Sequence, residues 1–277
     1  MGSMSVVRKT MPRVALLVET SREVGRGLLR GVMRYERLHG PWGLHVVPGD
    51  LEQTLPLMRA WGGTGIIARI TTRQIAEAIL QSSLPTIAVD LWEDQLDPSN
   101  PLSRLSEVCV DSYAVGRMAA EHLLERGFRH FAFLSEITGV LWSRRRQRGF
   151  YDRLAEAGMS GRIYQPPPAG QRDGGREQQR LGKWLQCLPR PCGVMAAMDV
   201  RGRQMSDVSQ GIGIRVPEEL AVVGVDNDEL LCELSEPPMS SVALDTEKAG
   251  YQAAALLDRL MARRIRKPRR ILVEPTR

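Results

Sequence analysis

The 277-residue sequence lacks most of the signatures that mark enzyme chemistry. Its four cysteines, Cys109, Cys187, Cys192 and Cys232, are widely spaced with no CxxC pair, so they read as reduced, mostly core thiols of a cytoplasmic protein rather than a metal site. The four histidines, His39, His45, His122 and His130, are scattered, with no spacing that pairs a base with a nucleophile. There is no Walker loop, no HExxH and no GxSxG. Gly25-x-Gly27-x-x-x-Gly31 is one residue longer than a dinucleotide fingerprint and falls inside a predicted helix; Gly27 and Gly31 are expected to bring that helix close to a sheet. The sequence therefore predicts no enzyme, with no catalytic residue, metal or cofactor. No apolar run reaches the length of about 18 residues that a membrane-spanning helix needs. The N-terminus also lacks the apolar region of a secretory signal. Val6 stands where N-myristoylation wants Ser or Thr, and residues 1–12 read as tag and N-terminal tail.

What is present is a repeated alternation of short apolar runs and amphipathic segments. Strands are predicted over 14–18, 44–47, 65–70 and 86–89, and helices over 24–39, 52–61 and 72–81. After a loop over 91–104 come strands over 108–110, 130–134, 163–165, 193–198 and 221–225. Between and after them lie helices over 113–126, 147–157, 176–188, 200–211 and 246–263. Strands alternating with helices imply right-handed βαβ units on parallel sheets. The length suits two lobes, so the fold class expected is α/β: two Rossmann-like lobes with parallel sheets joined by a three-strand hinge. The lobe boundaries expected are 13–110 plus 243–265, and 111–242 plus 266–277, with crossings near Asp111, Ser240 and Lys267. A loop is expected over 166–175, PPPAGQRDGG.

The candidate chemistry sits at strand ends, because ligands of open parallel sheets collect beyond the carboxyl ends of the strands. Those ends carry Glu19 to Arg22, Arg69, Asp90, Asp199 and Asp226. Trp92 and Trp142 fall in loops, and Arg148 opens a predicted helix within SRRRQR. Carboxylates and guanidinium groups hydrogen-bond vicinal hydroxyls in pairs, and an aromatic face packs on the C–H side of a sugar. Each strand-end Asp has a plainer reading as a turn former or helix cap. The basic run over 263–270, RRIRKPRR, reads as a solvated helix end rather than a DNA contact, and the net charge of +6 permits a nucleic-acid partner without demanding one.

The runs VVGVDNDEL and SSVALDTEKAGYQAAALLDRL resemble the sugar-binding domain of LacI-type repressors, and in particular the effector domain of xylose operon regulators. The likeness spans nearly all of 13–275, and RILVEPTR resembles that subgroup's closing strand. It implies a periplasmic-binding-protein-like fold of the LacI effector-domain type that closes around a monosaccharide, D-xylose by the subgroup. Signalling would pass to an AraC-type DNA-binding domain, which is expected to lie outside this chain, and the regulator would be a homodimer. Residue by residue, Arg148-Gly149-Phe150 matches the family's Arg-Gly-Phe element and Asp226 its acidic sugar acceptor. Met198-Asp199 replaces an Asn-Asp pair, and Asp111-Ser112 an Asp-Asn pair. The site implied is Glu19, Trp92, Trp142, Arg148, Asp199 and Asp226, with Glu19 and Trp92 placed by topology alone. The competing reading is a periplasmic-type sugar transport receptor of the same fold, against which the missing signal and the reduced-looking cysteines weigh.

Overall fold

A computed structural model describes residues 11–46, 62–136, 140–167 and 174–276. The expected helix over 52–61, the end of the strand over 44–47 and most of the loop over 166–175 lie outside the described residues. The first lobe is built by β1 (Arg13–Leu17), α1 (Glu23–His39), β2 (Gly43–Val46), β3 (Gly65–Ala68), α2 (Arg73–Ser82), β4 (Thr86–Val89) and β5 (Ser106–Val110). The second holds α3 (Ser112–Glu125), β6 (His130–Leu134), α4 (Leu141–Glu156), β7 (Gly161–Tyr164), α5 (Gly174–Gln186) and β8 (Cys192–Ala196). It continues with α6 (Asp199–Gly211), β9 (Leu220–Asp226), α7 (Glu229–Glu233) and β10 (Ser240–Ala243). The chain then returns as α8 (Thr246–Met261) and β11 (Arg270–Val273).

Two sheets result, β11-β5-β4-β3-β1-β2 and β10-β9-β8-β6-β7, and the strand pairs are parallel throughout. The central strands read as continuous apolar runs because both of their faces are covered: β3, β4 and β8 are buried at every position. The two-lobed α/β architecture is the one the alternation predicts. Helix α4 begins at Leu141, six residues ahead of the predicted start at Gln147, which brings the whole SRRRQR run inside it.

The expectation that 266–277 belongs to the second lobe is corrected. Strand β11 pairs with β5, Arg270 opposite Glu107 through Val273 opposite Val110, so it closes the first sheet. A strand seeks a free parallel edge of matching register, and β5 offers one. The crossings accordingly fall at Asp111, at 244–245 and at 274–276, where the Thr276 N–H reaches the Ala243 carbonyl at 3.2 Å. At the first crossing Asp111 caps α3, its carboxylate accepting from the Tyr113 and Ala114 N–H groups at 3.0 Å.

Glycines set a helix crossing in each lobe. A Cβ on Gly31 of α1 would stand 1.9 Å from the Glu247 carbonyl of α8, so α1 crosses a helix there rather than the sheet the sequence suggests. In the second lobe a Cβ on Gly149 of α4 would stand 2.0 Å from the Tyr113 carbonyl of α3. Both contacts are backbone to backbone, and only the absent side chain permits them.

Candidate ligand-binding site

The carboxyl ends of both sheets face one cleft, lined by Arg22, Arg69 and Asp90 from the first lobe and Trp142, Arg146 and Asp226 from the second, with Val110 and Leu244 at the crossings. Its cavity is about 30 Å³, room for a water or two, so a larger ligand needs the lining side chains to shift.

Asp90 follows β4 with φ of 52°, and Asp226 ends β9 with φ of 112°. Both lie in the left-handed region that non-glycine residues rarely adopt, and such strain gathers where function demands it. The two strands hold the same place in their sheets, so the acids are topological counterparts. Each is pushed above the usual carboxylate range. For Asp226 burial outweighs the opposing Arg146, Arg69 and Arg22 charges and takes the pKa to about 6. For Asp90 burial again dominates over Arg69 and Arg146.

Arg146 is buried on α4. Its Nη1 donates to the Ala197 carbonyl at 2.5 Å, its Nη2 lies 3.5 Å from Asp226 Oδ1, and its guanidinium stacks 4.6 Å from the Trp142 ring centre. Burial pulls its pKa down against the pull of Asp226 and Asp90. The Nε atoms of Arg146 and of Arg69 are buried without a hydrogen-bond partner, which leaves one unsatisfied donor in each lobe.

Of the six expected site residues, the structure brings Trp142 and Asp226 to the cleft wall. Trp142 has one face taken by the Arg146 cation rather than free for a ligand. Arg148 is corrected to Arg146: the Arg148 side chain is 79% exposed and pairs with Asp152 at 3.6 Å along the helix. The reason is helical phase. Gly149 packs on α3 and Phe150 is fully buried, so the residues three and four positions earlier share their face, and Arg148 does not. That phase was available in the sequence as Trp142, Arg146, Gly149 and Phe150.

Asp199 lies beneath the cleft rather than on its wall. Its carboxylate accepts from Ser241 Oγ at 2.6 Å and from the Asp228 N–H at 2.8 Å, with Cys232 Sγ at 3.7 Å. It caps no helix of its own; it ties α6 to the loop after β9 and to β10. Burial, with Asp226 adding to it, raises its pKa to about 7 against those hydrogen bonds. Glu19 is outside the cleft lining, half exposed and 3.9 Å from Arg22. Trp92 stands off the cleft in the loop after β4, its N–H bound to Gln95 Oε1 at 3.0 Å. Arg22, Arg69 and Asp90, singled out at strand ends, do line the cleft; Arg146 was missed.

Among the described residues no group of three or more His, Cys, Asp or Glu side chains could hold a metal ion, and no helix is long and apolar enough to cross a membrane. Cys109, Cys192 and Cys232 are free and buried, and Cys187 is free and exposed.

Comparison with known proteins adds four findings. The family described as "Periplasmic binding protein-like domain" matches residues 120–277. The xylose operon regulatory protein of Escherichia coli (strain K12) is 34% identical over 268 residues, covering 96% of this chain and 67% of that protein. Its counterpart in Haemophilus influenzae is 32% identical over 254 residues, covering 90% of this chain and 64% of that one. A solved structure titled as the xylose-binding transcription activator xylR superposes with a TM-score of 0.82 at 32% identity, covering 96% of this chain and 67% of that one. The chain thus spans about two thirds of the length of these relatives.

Proposed function

This chain belongs to the xylose operon regulatory proteins, within the periplasmic binding protein-like family, and on that premise we propose that it is the sugar-sensing part of a cytoplasmic transcription regulator. The ligand is an uncharged monosaccharide, D-xylose on the strength of the relatives' names. The observation that carries this reading is the pairing of one arginine and one aspartate from each lobe, Arg69 with Asp90 and Arg146 with Asp226, around a single narrow cleft. With Arg22 the cleft holds three guanidinium groups and two carboxylates, donors and acceptors that suit the hydroxyls of a polyol. The carboxylates accept from its hydroxyls while the unpartnered Arg Nε groups donate to its oxygens.

A sugar held this way touches both lobes and stabilises the closed arrangement by its extra affinity for it. The closed arrangement would be read by an AraC-type DNA-binding domain beyond this chain, within a homodimer. No turnover is part of this reading. Calorimetry with a panel of pentoses and hexoses tests it: saturable binding of D-xylose, lost in folded Arg146→Ala and Asp226→Ala proteins, is the outcome expected. Binding of a different sugar would change the ligand, and binding of none would end the proposal.

A further inference from the structure

Asp228 stands two residues beyond Asp226 on the second lobe, outside the cleft lining, and its carboxylate reaches the first lobe. Its Oδ2 accepts from the Glu23 N–H at 3.1 Å and from Arg26 Nη2 at 3.0 Å, both in the first turn of α1. That turn needs an acceptor, because the residue at its N-cap is Arg22, which makes no side-chain capping bond. Asp228 is itself the N-cap of α7, yet its side chain caps nothing there. The second lobe has given up a cap of its own to cap a helix of the first.

The contact is connected at both ends to the cleft. Arg26 Nη1 donates to the Ser21 carbonyl at 2.9 Å and the Thr20 carbonyl at 3.4 Å, holding the loop from which Arg22 enters the cleft wall. On the other side the Asp228 N–H is bound to Asp199 at 2.8 Å, which ties the same loop to β10 through Ser241. The Asp228 side chain is 8% exposed, so water screens the pair weakly. A second pair between the lobes, Glu93 with Arg144, is about half exposed on each side and worth correspondingly less.

We propose that Asp228 is a positioning residue for ligand binding: by capping α1 across the cleft it holds the lobes together and so raises the fraction of molecules competent to bind. This deepens the sugar-sensor reading and rests on it for its effect on affinity, while the effect on lobe closure stands alone. Apparent affinity falls with the competent fraction. Losing the latch therefore weakens binding without altering which sugar is preferred.

The test combines small-angle X-ray scattering, with and without D-xylose, and calorimetry on the wild type, Asp228→Ala, Asp228→Asn, Arg26→Ala and the double variant. Without sugar, Asp228→Ala should have the larger radius of gyration, returning to the wild-type value at saturating D-xylose. Its Kd for D-xylose should rise about tenfold, within the usual range of coupling between linked equilibria. The ratio of D-xylose to L-arabinose affinity should stay the same. Asp228→Asn keeps an acceptor for the Glu23 N–H and should fall between. The double variant should be no more open than Asp228→Ala, because that substitution already removes the one bond Arg26 makes to Asp228 across the lobes. Sugar-free scattering of Asp228→Ala and Arg26→Ala identical to wild type, or additive effects, would overturn the latch. If Asp228→Ala fails to fold, Arg26→Ala, whose side chain is a third exposed, decides the question alone. Should the wild type bind no sugar at all, the sensor reading falls, and the sugar-free scattering still decides the latch.

Discussion

In the first lobe one of the two cleft arginines, Arg69, directly follows β3, next to the strand whose end carries Asp90. In the second lobe the residue directly after β8 is Ala197, whose carbonyl accepts from Arg146, and the arginine comes instead from α4. The sheets have the same order, β2-β1-β3-β4-β5 and β7-β6-β8-β9-β10, so this is a comparison at matched positions. A guanidinium placed by a strand end is fixed by the sheet. One placed by a helix is fixed only as well as that helix is phased and docked, and Gly149 against the Tyr113 carbonyl does the docking. The second lobe therefore depends on a close helix crossing to place Arg146, whereas Arg69 of the first does not.

The largest effects should come from removing one member of either Arg–Asp pair. Arg146→Ala and Asp226→Ala should each weaken sugar binding about 100-fold or more, since each leaves its partner buried and uncompensated. Arg69→Ala and Asp90→Ala should match them within about tenfold if the ligand leans equally on both lobes. A calorimetric series in which only the second-lobe variants fail would break the symmetry of the comparison. Next in size is the helix crossing. Gly149→Ala forces backbone apart and should cost about 1–3 kcal/mol of stability in a denaturant titration. Because Arg146 rides on the same helix, sugar affinity should fall as well. Gly31→Ala in the first lobe should cost similar stability and leave Arg69 in place.

A third test uses pH. Ligand hydroxyls donate to an ionised carboxylate, so binding favours the deprotonated form of Asp226, and affinity should drop by up to about tenfold per pH unit below a pKa of about 6. Folding has the opposite sign. A raised carboxyl pKa means the folded chain holds its proton more tightly than the unfolded one. That stability is complete below the ordinary carboxylate pKa of about 3.9. It is lost as pH rises through about 6 for Asp226 and about 7 for Asp199. Affinity and melting temperature should thus move in opposite directions between about pH 5 and 7. Parallel trends would mean that neither aspartate carries the charge assigned to it.

The same contrast between strand and helix explains how much could be read beforehand. Apolar runs such as Val14 to Val18 and Ile66 to Ala68, each followed by a polar residue, announce buried strands, and runs of this kind put Arg69, Asp90 and Asp226 at their ends. Strand ends are local features. Arg146 sits in a run where Arg144, Arg145, Arg146 and Arg148 carry the same charge, and only packing distinguishes them. The burial of Asp199 depends on Ser241 and Asp228, residues far along the chain that the sheet brings back. The place of β11 turns on which sheet has a free edge, a property of the assembled lobes rather than of RILV.

The smallest expected effect is the most discriminating. Arg148 adjoins Gly149 in the Arg-Gly-Phe element, yet its side chain is largely in water and its ion pair with Asp152 is an exposed i,i+4 contact. Such pairs are worth about 0.3–0.5 kcal/mol, so Arg148→Ala should change stability by no more than that. It should change sugar affinity less than about twofold, because no point of the cleft wall is lost. Arg146→Ala, two residues earlier on the same helix, removes the same charge and the same length of side chain from the opposite environment. The two proteins therefore differ in helical phase alone. Equal losses of affinity would mean that α4 turns when ligand binds and brings Arg148 inward, and the second lobe's arginine would then be chosen by the ligand rather than by Gly149.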